Sequence, residues 1–320
     1  MAAPDRRSLD ATRSLEADGH GRRAAAGGDE PRSHLPPLPD ASDLMKIRTG
    51  YTIGYDTFGP TPITLMLNVH PSRAGDLLTP ETMTIEPPVE AHSYLDPFGN
   101  VCTRILAPGG RITVSADFMI EDSGELDELV PEAKQHPVQD LPDEVMPFLL
   151  GSRYCETDKL SNIAWGLFGT TPEGWKRVQA IHDFVHQHIK FDYQQADATR
   201  TAFEAYTQKI GVCRDFTHLA VAFCRCMNIP ARYCTGYLGD IGVPVVPPGD
   251  FSAWLEVYLD GRWFTFDARN NKRRIGRILI ARGRDATDVA ISTSFSTALL
   301  ASFDVHTDEI SETGELTPIA

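Results

Sequence analysis

An α+β fold is predicted for this 320-residue chain, and three features predict it. The first third of the region expected to fold is dense in strand-like runs with no helical period. A long apolar helix then begins at a cysteine, in "KIGVCRDFTHLAVAFCRCMNIPARY". A hairpin signal follows, in "DFSAWLEVYLDGRWFTFDARN". Strands alone, and then helices with strands, imply an antiparallel β-sandwich domain followed by a mixed core in which the cysteine-bearing helix packs on an antiparallel sheet.

Residues 1–44 are rich in Ala, Gly, Pro, Arg and Asp, and bury too little apolar surface to offset chain entropy. They are expected to be a disordered extension, with Met45 the natural start. Residues 45–120 carry "ITLMLNVHP", "MTIEPP" and "RITVSADFMI", broken by turn signals such as "DPFGN" and "APGG", as a β-sandwich requires. Nothing in them looks catalytic, and His70 and His92 read as surface residues. Residues 121–145 hold nine acids and one lysine, more than half of the chain's net charge of −14, and read as a solvated acidic linker. That balance argues against nucleic-acid binding, which needs clustered Lys and Arg. No apolar run reaches the roughly 18 residues of a membrane span. The N-terminus lacks the apolar centre of a secretory signal. Six scattered cysteines suit a reducing interior, so the cytoplasm is expected.

The core is expected over 146–300, with an acidic tail over 301–320. "DEVMPFLLGSRYC" and "DKLSNIAWGLFG" read as helices. "TPEGWKRVQAIHDFVHQHIKFDY" reads as a third, with Thr171 as N-cap, Pro172 at the first helical position, and Val178, Ile181, Val185 and Ile189 at helical spacing. His182 and His186 share a face of it, but the acid of an HExxH zinc helix is absent, so they read with His188 as a polar helix edge. No metal is expected.

The helix from Cys213 runs to about Met227, stopped by Asn228 and Pro230, and is apolar around most of its circumference, as a buried central helix would be. A cysteine at its N-terminus feels the positive end of the helix dipole, which favours the thiolate. The same residue is equally readable as a small buried apolar group. Cys224, Cys226 and Cys234 read as core. In the hairpin, Asp260-Gly261 is the turn. Leu259 then opposes Arg262, Trp254 opposes Asp267, and Ser252 lies two residues further along the same face. Diagonal neighbours stand about 7–8 Å apart. An imidazole at 252 would reach Asp267; a serine is too short.

"GVCRDFTHLAVAFCRCMNIPARYCTGYL" followed by "SAWLEVYLDGRWFTFDARN" resembles the core of the bacterial transglutaminase-like superfamily, related to papain-fold cysteine peptidases. The β-rich region resembles the domain that often precedes this core, so the resemblance covers roughly residues 46–295. It implies a papain-like fold and acyl transfer or hydrolysis at peptide or glutamine amides through a Cys213 thioester. Cys213 would be the nucleophile, position 252 the base and Asp267 the acid that orients it. It implies a peptide or protein substrate and no cofactor. Position 252 departs from the pattern, because it is Ser252. A base near neutral pH needs a pKa close to the operating pH, which a hydroxyl lacks. Losing one member of such a unit costs orders of magnitude in rate.

His218, five residues past Cys213, is turned by about 140° on the helix and is expected to face elsewhere. The histidines of the preceding helix stay open as a replacement base. Trp254 and Tyr237 are candidates for lining the cleft, with core packing as the alternative. Lys272, Arg273, Arg274 and Arg277 form a basic patch, read as a solvated loop or as a magnet for acidic peptide or the chain's own linker. The expectation is therefore a transglutaminase-like protein with weak or altered activity. The alternative is a non-catalytic peptide-binding or assembly module.

Overall fold

The computed structural model describes residues 44–245 and 249–310. The extension expected over 1–44 lies, but for Leu44, outside the described residues. Six strands come first: β1 (Met45–Thr57), β2 (Thr61–Leu65), β3 (Thr84–Glu86), β4 (Ala91–Leu95), β5 (Val101–Ala107) and β6 (Gly110–Asp122). Helices α1 (Thr157–Phe168), α2 (Trp175–His188), α3 (Ala202–Gln208) and α4 (Cys213–Cys226) follow, with the short strands β7 (Lys190–Phe191) and β8 (Ile210–Gly211) between them. The chain continues through β9 (Ala231–Leu238), β10 (Phe251–Leu259), β11 (Arg262–Phe266), β12 (Arg277–Gly283), β13 (Ser292–Ser294) and β14 (Ala298–Ile310).

Two four-stranded antiparallel sheets, β14-β1-β6-β3 and β13-β2-β5-β4, make the sandwich. Their alternating buried residues, such as Ile47, Ile53, Leu65, Val114 and Phe118, share one apolar core with Tyr237, Phe251 and Ile278 of a third sheet. That third sheet has the order β11-β10-β9-β12. One of its faces carries Leu255, Val257, Leu259, Phe264 and Phe266, which pack in a second core with α1, α2 and α4. All residues of α4 from Asp215 to Cys226 are buried, as its all-round apolar pattern requires.

The hairpin forms as read. Leu259 pairs with Arg262, and Asp260 (φ 47°) with Gly261 (φ 79°) takes the two left-handed positions of the turn. Four other expectations change. "DEVMPFL" is a 3₁₀ segment, Asp143–Leu149, because Pro147 inside it cannot donate to an α-helical ladder. The helix expected from Pro172 starts at Trp175, after Gly174 at φ 79°; the Thr171 hydroxyl instead donates to Phe168 O at the end of α1. Helix α3 was not foreseen, although "TAFE" carries its capping box of Thr201 and Glu204. Finally, residues 301–310 are not tail but part of β14, which pairs with β1 from Lys46↔Ile310 to Thr57↔Ala298. Only 311–320 of that expected tail fall outside the described residues.

Candidate active site

Cys213 opens α4, directly after the β8 residue Gly211 and Val212. Glycine is required there by close approach: an added Cβ would stand 2.6 Å from Asp215 Cβ. Asp215, fully buried, accepts the Val212 N–H (2.8 Å) and pairs with Arg200 (3.1 Å), which pins the first turn and so the cysteine. Thr217 closes the same turn by donating to Cys213 O (2.9 Å).

The thiol is partly buried. Burial pushes its pKa up, and the opposing Arg269 charge and the backbone N–H groups of Ala253 and Arg214 do not bring it back to the ordinary thiol value. Asp267 raises it further. Desolvation thus works against the helix N-terminus, and this direction favours the alternative reading of Cys213 as a small buried group. Cys224 and Cys226 are buried and their thiols shifted upward by desolvation, as expected of core cysteines.

Asp267 follows the last residue of β11, whose final ladder pair is Leu255↔Phe266. The next step along the two strands is the expected Trp254–Asp267 juxtaposition. The carboxylate is 3% exposed, and burial alone would raise its pKa. The Arg277 charge, with hydrogen bonds from Asn270 N (2.9 Å), Asn270 Nδ2 (2.8 Å) and Arg277 Nη2 (3.0 Å), overcomes this and holds it below the usual carboxylate value. It is a preorganised anion already supplied with donors.

Ser252 sits opposite Gly236 on β9, and its carbonyl accepts from Thr235 (3.0 Å). Among the described residues no hydrogen bond joins its hydroxyl to Cys213 or Asp267. Among the described residues no histidine is seen to fill the gap. His218 is fully buried between Tyr154 and Tyr233, its ring centroids 5.0 and 4.9 Å from theirs; its Nε2 accepts from Ala286 N (3.1 Å), and burial holds it neutral. His182 is buried against Phe266, and desolvation lowers its pKa. His186 Nδ1 donates to the carbonyls of Ala268 and Arg269 (3.1 and 3.0 Å), and His188 Nε2 donates to Tyr206 O (2.7 Å). His186 thus braces the loop after Asp267 and His188 ties α2 to α3, so these two are not simply a polar edge. His70, expected at the surface, is 3% exposed and caps the Pro71–Asp76 turn by accepting from Ser72 N. His92 is exposed, as expected.

Tyr237 is fully buried against Phe118 and Phe251, inside the core shared with the sandwich, and this corrects its candidacy as a cleft residue. Trp254 is 2% exposed and packs with Cys234 and Leu279 on the sheet face away from α4. There its edge borders a cavity of about 270 Å³ with Glu256, Thr265, Arg277 and Asp127. The acidic linker is anchored here rather than solvated. Asp127 receives Arg277 Nε (2.9 Å), Arg277 Nη2 (3.0 Å) and Arg274 N (2.9 Å), while Arg273 donates to the Asp127 and Leu126 carbonyls. Of the two partners weighed for the basic patch, the chain's own linker is the one in contact. No local signal singles out Asp127 among nine acids.

The rim of the site carried no sequence motif that pointed to it. Phe191 pairs with Gly211, Arg269 lies 4.2 Å over the Phe191 ring, and the Tyr193 hydroxyl donates to Asp250. Burial pushes Asp250 up to about 6. Among the described residues, no cluster of three or more His, Cys, Asp or Glu has metal-holding geometry, and no helix is long and apolar enough to cross a membrane.

A cysteine opening a buried central helix, beside an antiparallel sheet that ends in a buried, ion-paired aspartate, defines the papain-like cysteine fold. The sequence profile of the transglutaminase-like superfamily matches residues 163–268. A solved candidate cysteine protease from Cytophaga hutchinsonii is 30% identical, with a TM-score of 0.73; the match covers 87% of this chain and 94% of that one. An uncharacterised protein of Mycobacterium leprae is 28% identical over 215 residues, 64% of this chain and 75% of that protein. The chain belongs to the transglutaminase-like superfamily.

Proposed function

We propose that this chain is a cysteine-dependent acyl-transfer or hydrolase protein for peptide or glutamine amides, with activity weakened or altered by Ser252. One observation carries the reading: both ends of a cysteine–aspartate pair are held in place, and the residue between them is a serine without a bond to either. In a working unit the middle member takes the thiol proton and returns it to the leaving amine. With a thiol whose pKa lies above the ordinary value and no imidazole in contact, most Cys213 is protonated at neutral pH. The second reading, a non-catalytic peptide-binding module, is favoured by the donors that already saturate Asp267. The substrate is a peptide or protein, and the cytoplasm is our assignment from six cysteines that are all unpaired.

The test is the pH dependence of Cys213 alkylation by iodoacetamide in wild type and Ser252→His, with Cys213→Ala as the blank for the other thiols. Wild type should titrate at or above the free-thiol value of about 8.5. Ser252→His should shift the profile downward and raise turnover of a glutamine-containing peptide. An unchanged profile in a folded Ser252→His variant would count against the mapping of position 252. A wild-type midpoint below pH 7 would mean that another group activates the thiol.

A further inference from the structure

We propose that Arg269 makes the Cys213 site selective for peptides that carry a carboxylate close to the reacting carbonyl. The inference rests on Cys213 being the reacting thiol, and it concerns recognition rather than turnover. Arg269 stands in the turn that follows Asp267. Asn270 N and Asn271 N fix that turn to the Asp267 side chain and carbonyl (2.9 and 2.8 Å), and His186 holds the Arg269 carbonyl from α2. Its guanidinium is laid over Phe191, the strand partner of Gly211, two residues before the cysteine. That pairing sets the guanidinium beside the segment that leads into the cysteine, close enough for its charge to oppose the burial of the thiol.

The contrast with its neighbours makes the case. Arg277, Arg274, Arg232 and Arg262 are each ion-paired. Among the described residues Arg269 has no ion pair; its one side-chain hydrogen bond goes to the neutral Asn270 amide (3.2 Å). Asp250, which feels its charge, is taken by the Tyr193 hydroxyl. A guanidinium that is partly buried, propped on an aromatic ring and left unpaired is preorganised for a carboxylate, which its planar fork binds with two parallel bonds. Exposed Phe191 and Tyr193 beside it offer apolar surface for the rest of the peptide.

Two alkylating agents of one size read the cation directly: iodoacetate, which is anionic, and iodoacetamide, which is neutral. At low salt the iodoacetate-to-iodoacetamide rate ratio at Cys213 should fall roughly tenfold in Arg269→Gln, as removal of one nearby charge predicts, and further in Arg269→Glu. Arg269→Lys should keep most of the ratio, and Asp250→Asn, which removes a competing acid, should raise it. Protection of Cys213 from iodoacetamide by peptides then identifies the source of the carboxylate. An end-blocked glutamate peptide should protect better than its glutamine isostere, and a glutamine peptide with a free C-terminus separates a terminal carboxylate from a side-chain one. Equal ratios in wild type and a folded Arg269→Gln overturn the proposal, as does equal protection by all three peptides. An Arg269-dependent ratio with no turnover, even in Ser252→His, upholds the recognition and sinks the catalytic reading instead.

Discussion

On one face of the third sheet, Leu255, Val257, Leu259, Phe264 and Phe266 meet α4 with no polar atom to satisfy. On the other, Trp254 lies under Arg277, which bridges Asp127 and Asp267, while Arg232 and Glu256 pair alongside. The first face is held by area removed from water and tolerates any apolar residue of suitable volume. The second is held by charges whose desolvation must be matched bond for bond, so each partner there depends on the others. The candidate site lies where the two meet. Cys213 comes from the apolar helix and Asp267 from the charged lattice, so chemistry there needs a residue that spans both. Ser252 does not.

Removing a single partner on the charged face should have the largest effect. Arg277→Ala leaves Asp127 and Asp267 buried without their cation and should cost about 4 kcal/mol in urea unfolding. The same pairing sets an acid limit. Because the folded-state pKa of Asp267 is lowered, its contribution is complete above the unfolded value near 4 and is lost as pH falls through the folded value. Arg277→Ala should therefore flatten the loss of stability below about pH 4, and an unchanged acid profile would break the account. On the apolar face, Leu255→Ala should cost about 3 kcal/mol with no change in that acid profile. A larger cost than that of Arg277→Ala would reverse the ranking of the faces. Ser252→His should raise the rate of acyl chemistry at Cys213 by about a hundredfold, the lower end for an added general base. Stability should move little, which a thermal melt would check. Smallest is Glu128→Gln: the Glu128–Arg262 pair is half-exposed on both sides, and its loss should stay below about 1 kcal/mol and vanish at high salt.

What could be read from the sequence followed the same division. Periodicity located α4 and the hairpin, because an apolar face repeats and an Asp-Gly turn fixes its own register. Those two elements placed Cys213 at a helix start and Asp267 opposite Trp254, while the roles expected of them came from the family resemblance. The charged lattice could not be read, since Asp127 and Arg277 are 150 residues apart and are joined only by folding. The environment of Cys213 divides in the same way: the helix dipole is a local property, and the burial that opposes it comes from the rest of the molecule. The start of α2 was misplaced because the backbone of Ala133, in the linker, accepts the Trp175 N–H and fixes where the helix begins.

Strand β14 has a consequence in time. Its pairing joins Lys46 to Ile310, and β13 likewise joins Ser292 to Leu65, so each sheet of the sandwich takes an edge strand from the far end of the chain. A ribosome that has released residues 45–122 has delivered the middle of that sandwich with a long unpaired edge on β1 and a short one on β2. The sandwich, although six of its strands precede the helices, is completed only after them, and a fragment ending at Asp122 should expose β1 and β2 to pairing with any other strand that meets them.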